Sequence, residues 1–226
     1  MTVEIVKGVR WITCESAGNV ADFVVRSIES AAERAIRKKG EFSLVLAGGT
    51  TPHKVYSQLA ESDQSWDRWA LYYGDERCLA IDDGERNSQM VVNSGLAEKI
   101  ARHYPIPAEL GAEAGAAAYE PLVEAALPFD MVLLGMGEDG HTASLFPGHA
   151  YHVSNLVMPV HNAPKPPPDR ISLTPVALQS CEQMIVIVMG RGKAKALGDW
   201  RGGKKLPVSE VVGSAPNALV VTDLNI

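Results

Sequence analysis

The chain has 226 residues, 46% of them hydrophobic, and its 21 Lys and Arg against 27 Asp and Glu give a formal net charge of −6. That much apolar material can form a buried core and excludes wholesale disorder, and the length suits one α/β domain over residues 1–226. The acidic balance excludes a general nucleic-acid binder, which needs a positive field for the phosphate backbone, yet it leaves room for a small phosphorylated ligand held by a local basic cluster.

The amino-terminal MTVEIVKGVR lacks the apolar core of a signal peptide. No apolar run approaches the ~20 residues of a membrane span, so a soluble, cytoplasmic protein is expected. A long helix follows from Ser16 to Lys39. Val20, Phe23, Val24, Ile28, Ala31, Ala35 and Ile36 recur at threes and fours, and Gly40 ends it. Phe42–Ala47 is a continuous apolar run, the pattern of a strand buried on both faces. Thr50-Thr51-Pro52 then opens a helix. Further strands are expected at Trp69–Tyr73, Phe129–Leu134, Leu156–Val160, Gln183–Met189 and Ala218–Thr222. Helices are expected near Asn87–Arg102, Ala112–Ala126, Thr174–Ser180 and Lys193–Arg201. Strands alternating with helices predict a doubly wound, mostly parallel sheet flanked by helices, a Rossmann-like α/β fold, with ligands at the carboxyl ends of the strands. Cys14, Cys78 and Cys181 form no CxxC pair and no zinc spacing, so they are expected to be reduced structural thiols.

Four segments at those strand ends carry chemistry. In Ala47-Gly48-Gly49-Thr50-Thr51-Pro52, two glycines permit close backbone approach, and hydroxyls and helix-start N–H groups converge as an anion site. In Gly74-Asp75-Glu76-Arg77, two carboxylates and a guanidinium sit at a strand end, where burial requires pairing. The sequence LLGMGEDGHTASLFP places Asp139 two residues before His141 in a glycine-rich loop after a buried strand. Histidine moves protons near pH 7, and a neighbouring carboxylate fixes its tautomer. His53, His103, His149, His152 and His161 show no such setting. Finally, Arg170 in RISLT and Lys193 in GRGKAK point to the same sheet edge, and a lysine at a helix start is unfavourable unless an anion is present.

These pieces, in this order, resemble the 6-phosphogluconolactonases of the glucosamine-6-phosphate isomerase/6-phosphogluconolactonase family, over nearly the whole chain. LLGMGEDGHTASLFPGH is the most specific piece, GDER the next and AGGTTP the least. The resemblance implies hydrolysis of 6-phospho-D-glucono-1,5-lactone, the second step of the oxidative pentose phosphate pathway. It marks His141 as the catalytic histidine, Asp139 as its carboxylate companion and Arg77 as the arginine of the DER motif. Gly48, Gly49 and Thr50 become the phosphate loop, with Arg170 and Lys193 as its basic ligands, and Asp75, Asn87 and Gly137 as further substrate-binding positions. Arg77 is expected either to stabilise an oxyanion or to hold a carboxylate.

A δ-lactone is reactive enough to require no metal, cofactor or covalent nucleophile. Ser144 has no GxSxG surroundings. The implied partner is a small sugar-phosphate lactone, not nucleic acid or membrane, and the protein is expected to be a monomer or a homodimer. Two positions depart from the family pattern: Ala47 replaces a common Ser, and Arg86 precedes Asn87 where Ser is usual.

The related glucosamine-6-phosphate deaminase/isomerases follow Asp-Glu with Tyr, and their loop reads His-Ile-Ala-Phe-Asn-Glu-Pro. Here the corresponding residues are Arg77 and His-Thr-Ala-Ser-Leu-Phe-Pro. Both differences favour the lactonase. A non-catalytic sugar-phosphate-binding module would be expected to lose Asp139 or His141.

Overall fold

The computed structural model describes residues 1–151 and 154–225, so His152 lies outside the described residues. The chain begins with a hairpin, β1 (Thr2–Val6) and β2 (Val9–Thr13), followed by α1 (Ala17–Lys39), β3 (Phe42–Leu46), α2 (Thr50–Ala60), β4 (Trp69–Tyr73), β5 (Asp75–Arg77) and α3 (Asn87–Asn93). It continues through β6 (Arg102–His103), α4 (Ala112–Ala126), β7 (Phe129–Gly135), β8 (Val157–Val160), β9 (Arg170–Leu173) and α5 (Pro175–Gln179). The last elements are β10 (Cys181–Val188), α6 (Ala194–Gly202), α7 (Pro207–Gly213) and β11 (Ala218–Thr222).

The main sheet has eight strands in the order β1-β2-β11-β10-β7-β3-β4-β6. β1 pairs antiparallel with β2; every other pairing in it is parallel. The doubly wound α/β reading therefore stands. β3 is buried along its whole length, and β7 from Phe129 to Leu134, with the two polar residues in these otherwise apolar runs, Ser43 and Asp130, hydrogen-bonded to each other. In α1, Ser16 accepts a hydrogen bond from the Asn19 N–H at the start, and Gly40 adopts the left-handed conformation at the end (φ 87°). Val20, Val24, Ile28 and Ala35 line its buried face.

From β3 the chain winds outward through β4 to β6, then returns to β7 and winds the other way through β10 to β11. β3 and β7 are therefore neighbours at the point where the winding reverses, with Val45 beside Val132. The loops leaving their carboxyl ends diverge there and open a crevice. Over one side of it stands a second sheet, β5-β9-β8, antiparallel throughout. The expected strand at Leu156–Val160 belongs to this small sheet as β8, not to the parallel one. The Leu173 N–H donates to the Gly74 carbonyl (2.8 Å), and the Gly74 N–H to the Leu46 carbonyl (3.0 Å), which ties the small sheet to the end of β3.

Candidate active site

The crevice at the β3/β7 switch holds a cavity of about 310 Å³, a size typical of small-molecule sites. The loop after β7 is shaped by its glycines. The Gly137 N–H donates to the His141 carbonyl (2.8 Å), and the Gly140 N–H to the Gly137 carbonyl (3.1 Å). A Cβ on Gly137 would lie 2.1 Å from both Cε1 and Nδ1 of His141 and 2.8 Å from Oδ1 of Asp139. The glycine thus makes room for the dyad.

Nδ1 of His141 is 2.5 Å from Oδ1 of Asp139, and the same oxygen accepts from the His141 backbone N–H at 3.1 Å. Burial pushes the Asp139 carboxyl up, but the hydrogen bonds from the His141 ring and backbone, with the charge of the ring, outweigh it and hold the carboxyl below its ordinary value. An ionised carboxylate only accepts, so the bond places the imidazole proton on Nδ1 and leaves Nε2 as the basic nitrogen. The His141 ring packs at 4.8 Å (centroid to centroid) from Phe146.

Across the crevice, β5 carries a second set of charges. The carboxylate of Asp75 is fully engaged: Asn87 Nδ2 donates to Oδ1 (3.1 Å) and Ser144 Oγ to Oδ2 (2.6 Å). Asn87 also lies over Gly48, where a Cβ would come within 2.0 Å of its Oδ1. Ser144 is buried and hydrogen-bonded to Asp75, so its hydroxyl acts in the framework, in keeping with its lack of a nucleophile elbow.

Glu76 is completely buried and accepts the backbone N–H groups of Arg77 (2.9 Å), Asn87 (2.7 Å) and Ser88 (2.8 Å). It caps the start of α3 and fixes Arg77 and Asn87 together. Its charge is met by Arg86, whose Nε lies 3.5 Å from Oε2 while Nη1 reaches Glu109 (2.8 Å) and Nη2 the Ile106 carbonyl (2.7 Å). The departure at Arg86 is thus a buried counter-ion. Arg86→Met should destabilise the fold by about 3 kcal/mol by leaving Glu76 buried and unpaired; urea unfolding that shows less than ~1 kcal/mol would refute that role. Ala47, the other departure, contributes its backbone N–H and carbonyl to the Tyr56 hydroxyl (2.9 and 3.0 Å) and no side-chain donor.

Arg77, Arg170, Lys165 and Lys193 supply the positive charge lining the cavity. Arg77 and Arg170 are paired directly across β5 and β9. Like charges so placed repel unless an anion lies between or above them. Arg77 Nη1 donates to the Glu85 carbonyl, and its Nε is buried without a partner. Arg170 donates from Nε to the Pro167 carbonyl (3.2 Å) and from Nη2 to the Lys165 and Pro166 carbonyls (3.1 Å each). It therefore braces the proline-rich loop as well as facing the cavity. Burial lowers the Arg170 pKa; the Asp75 carboxylate acts against this and the neighbouring Arg77 with it. Burial likewise pushes Lys193 down; Glu138 acts against this and Lys165 with it. A bound dianion would relieve both strains.

Gly48, Gly49, Asp75, Arg77, Asn87, Gly137, His141, Arg170 and Lys193 all line this one cavity, with Asp139 bonded to His141 behind it. Thr50, expected in the phosphate loop, is exposed at the first turn of α2 and lines an adjoining hollow with His53 and Lys54. Lys165 and Glu138 were missed. Lys165 lies in APKPPP, which reads only as a stiff loop, and nothing local brings it to the sheet edge.

His161 departs from expectation by having carboxylate partners: Nδ1 is 2.8 Å from Asp169 and Nε2 3.2 Å from Glu113 of α4. They are distant in sequence or on another element, so spacing did not reveal them. These hydrogen bonds, Asp169 first, raise the His161 pKa above its ordinary value. The clasp therefore stabilises the loop fully below an unfolded imidazole pKa of about 6.5 and is lost as pH rises through the higher folded value. Hydrogen exchange corrected for intrinsic rates should show the Ala163 amide, which donates to the Pro168 carbonyl, losing protection from pH 6 to pH 9. In His161→Gln that change should vanish; equal pH dependence in both proteins would refute the clasp.

A family model described as glucosamine-6-phosphate isomerases/6-phosphogluconolactonase matches residues 15–221. The 6-phosphogluconolactonase of Mycobacterium leprae is 36% identical over 221 residues, covering 88% of this chain and 86% of that protein. Its counterpart from Streptomyces coelicolor is 36% identical over 199 residues, covering 75% and 76%. The crystal structure of 6-phosphogluconolactonase from Thermotoga maritima matches with a TM-score of 0.85 at 29% identity, covering 94% of this chain and 98% of that one. With the dyad, the DER strand and the glycine loop in one crevice, and sequence and fold similarity along nearly all of its length, the chain belongs to the glucosamine-6-phosphate isomerase/6-phosphogluconolactonase family.

Proposed function

We propose that the chain hydrolyses 6-phospho-D-glucono-1,5-lactone to 6-phospho-D-gluconate. The observation that carries this reading is the Asp139–His141 dyad at a cavity that Arg77, Lys165, Arg170 and Lys193 also line, with Phe146 packed on the imidazole. Phe146 stands where the deaminase-type loop has its acid, so the position that assists ring opening is an apolar ring, buried to 1% exposure. The relatives named 6-phosphogluconolactonase support the same substrate.

In this mechanism Nε2 of His141 takes a proton from water as the water oxygen bonds to the lactone carbonyl carbon. The carbonyl π pair moves onto its oxygen, and the Arg77 guanidinium faces that charge. The tetrahedral intermediate then collapses, the carbon–ring-oxygen bond breaks, and the imidazolium returns the proton to the departing ring oxygen. Asp139 holds the tautomer and balances the imidazolium. Lys193, Lys165 and Arg170 hold the phosphate remote from the reacting carbon and orient the ring.

The test is lactone disappearance with spontaneous hydrolysis subtracted, alongside ammonia release from glucosamine 6-phosphate. Accelerated hydrolysis without ammonia is expected. Ammonia release without lactone hydrolysis would overturn the reading in favour of the deaminase.

A further inference from the structure

A second cavity of about 680 Å³ lies at the opposite, amino-terminal end of the strands, beneath the last turns of α1. Arg10 of β2 and Arg34, Lys38 and Lys39 of α1 line it, against the carboxylates of Asp130 and Glu182. Helix-dipole compensation accounts for Lys38 and Lys39 at the end of α1, but not for Arg10 arriving from the sheet. Asp130 is already occupied: its Oδ2 accepts from the Ser43 N–H (2.7 Å), the Ser43 hydroxyl (3.0 Å) and Lys39 Nζ (3.0 Å). Arg34 has only neutral partners, Ser30 Oγ (2.7 Å) and Gln183 Oε1 (3.3 Å). Arg10 and Lys38 have no side-chain partner among the described residues. Between these cations the floor has an apolar part, formed by Ala31, Ala35, Pro128 and Leu219, beside the polar Gln183 and Asn217. Asp130 and Glu182 offset two of the four cations, so the cavity keeps an excess of positive charge on a chain that as a whole is acidic, at −6.

We propose that this cavity is a second anion site, distinct from the active-site crevice, which takes an organic phosphate with a flat apolar part. The cations would meet the phosphate and the apolar floor the ring system. A nucleoside diphosphate has this chemistry. The site does not depend on the lactonase reading, because none of its residues belongs to the crevice.

The experiment is calorimetric titration with ADP, and separately with inorganic phosphate, in metal-free buffer of fixed ionic strength. The proteins are wild type, Arg10→Glu/Lys38→Glu and Lys193→Ala. Expected are saturable ADP binding to wild type, unchanged binding to Lys193→Ala, and weakening of about tenfold or more in the double variant. Inorganic phosphate should bind more weakly than ADP. Lactone hydrolysis without ADP should be the same in the double variant as in wild type, which also shows that it folds. Absence of saturable binding, binding abolished by Lys193→Ala, or equal binding by wild type and the folded double variant would each overturn the proposal. Phosphate binding as tightly as ADP would overturn the organic part of it.

Discussion

His141→Ala should lower kcat for the phosphorylated lactone by roughly 10²–10⁴-fold, the usual worth of a positioned general base, while KM stays within a few-fold of wild type. The split follows from geometry. The imidazole is carried with Asp139 by the loop after β7, whereas the cations Arg170, Lys165 and Lys193 reach the cavity from β9 and from the loops after β8 and β10. Removing the ring takes away an interaction made with the attacking water and leaves the anion contacts in place. Stopped assays at several lactone concentrations, with the spontaneous rate subtracted, measure both parameters. Near-normal turnover would refute the base role. Gly137→Ala offers a second route to the same loss. Its Cβ would sit 2.1 Å from Nδ1 of His141 and 2.8 Å from Oδ1 of Asp139, so the dyad must separate although both of its residues are retained.

The elements that the sequence announced most clearly are those with unbroken local patterns. Trp69–Tyr73, Ala112–Ala126 and Ala218–Thr222 have the expected bounds, because a buried strand or an amphipathic face is written in neighbouring residues. The helix expected over Asn87–Arg102 stops at Asn93 instead. Asn93-Ser94-Gly95 breaks it, with Gly95 at φ 78°, and the chain then turns to make β6. The opening hairpin went unread, although Lys7 and Gly8 (φ 51° and 81°) form a two-residue turn between alternating strands. Strands β5 and β9 of the small sheet are illegible for a different reason. Asp75 pairs with Ser172 and Arg77 with Arg170, and a three-residue strand has no period to detect.

The site divides along the same line. Asp139 and His141 are two residues apart in one loop, so their partnership could be read directly. Arg86 against Glu76 and Glu109, and Lys165 beside Lys193, exist only once distant loops meet. The arginine of RISLT was legible as a cation but not as a brace for three carbonyls of the proline-rich loop.

Lys193→Ala should act on the other half of catalysis, raising KM for the phosphorylated lactone on the order of 10–100-fold, the worth of one charge-assisted contact. Part of that contact is prepared in the free protein. Burial holds the Lys193 pKa down, Lys165 adds repulsion and Glu138 compensates incompletely, so the ammonium gains more from a phosphate dianion than a solvated lysine does. Some loss of kcat should accompany the rise in KM, because a remote anchor helps to align the reacting carbon with the water on His141. The control is a substrate and not a second mutation. With glucono-1,5-lactone, which has no phosphate, wild type and Lys193→Ala should be equally poor, within about threefold, because the removed charge then has nothing to meet. If Lys193→Ala were impaired equally on both lactones, the lysine would be supporting the loop between β10 and α6, and the phosphate anchor would have to be sought at Arg170 and Lys165 alone.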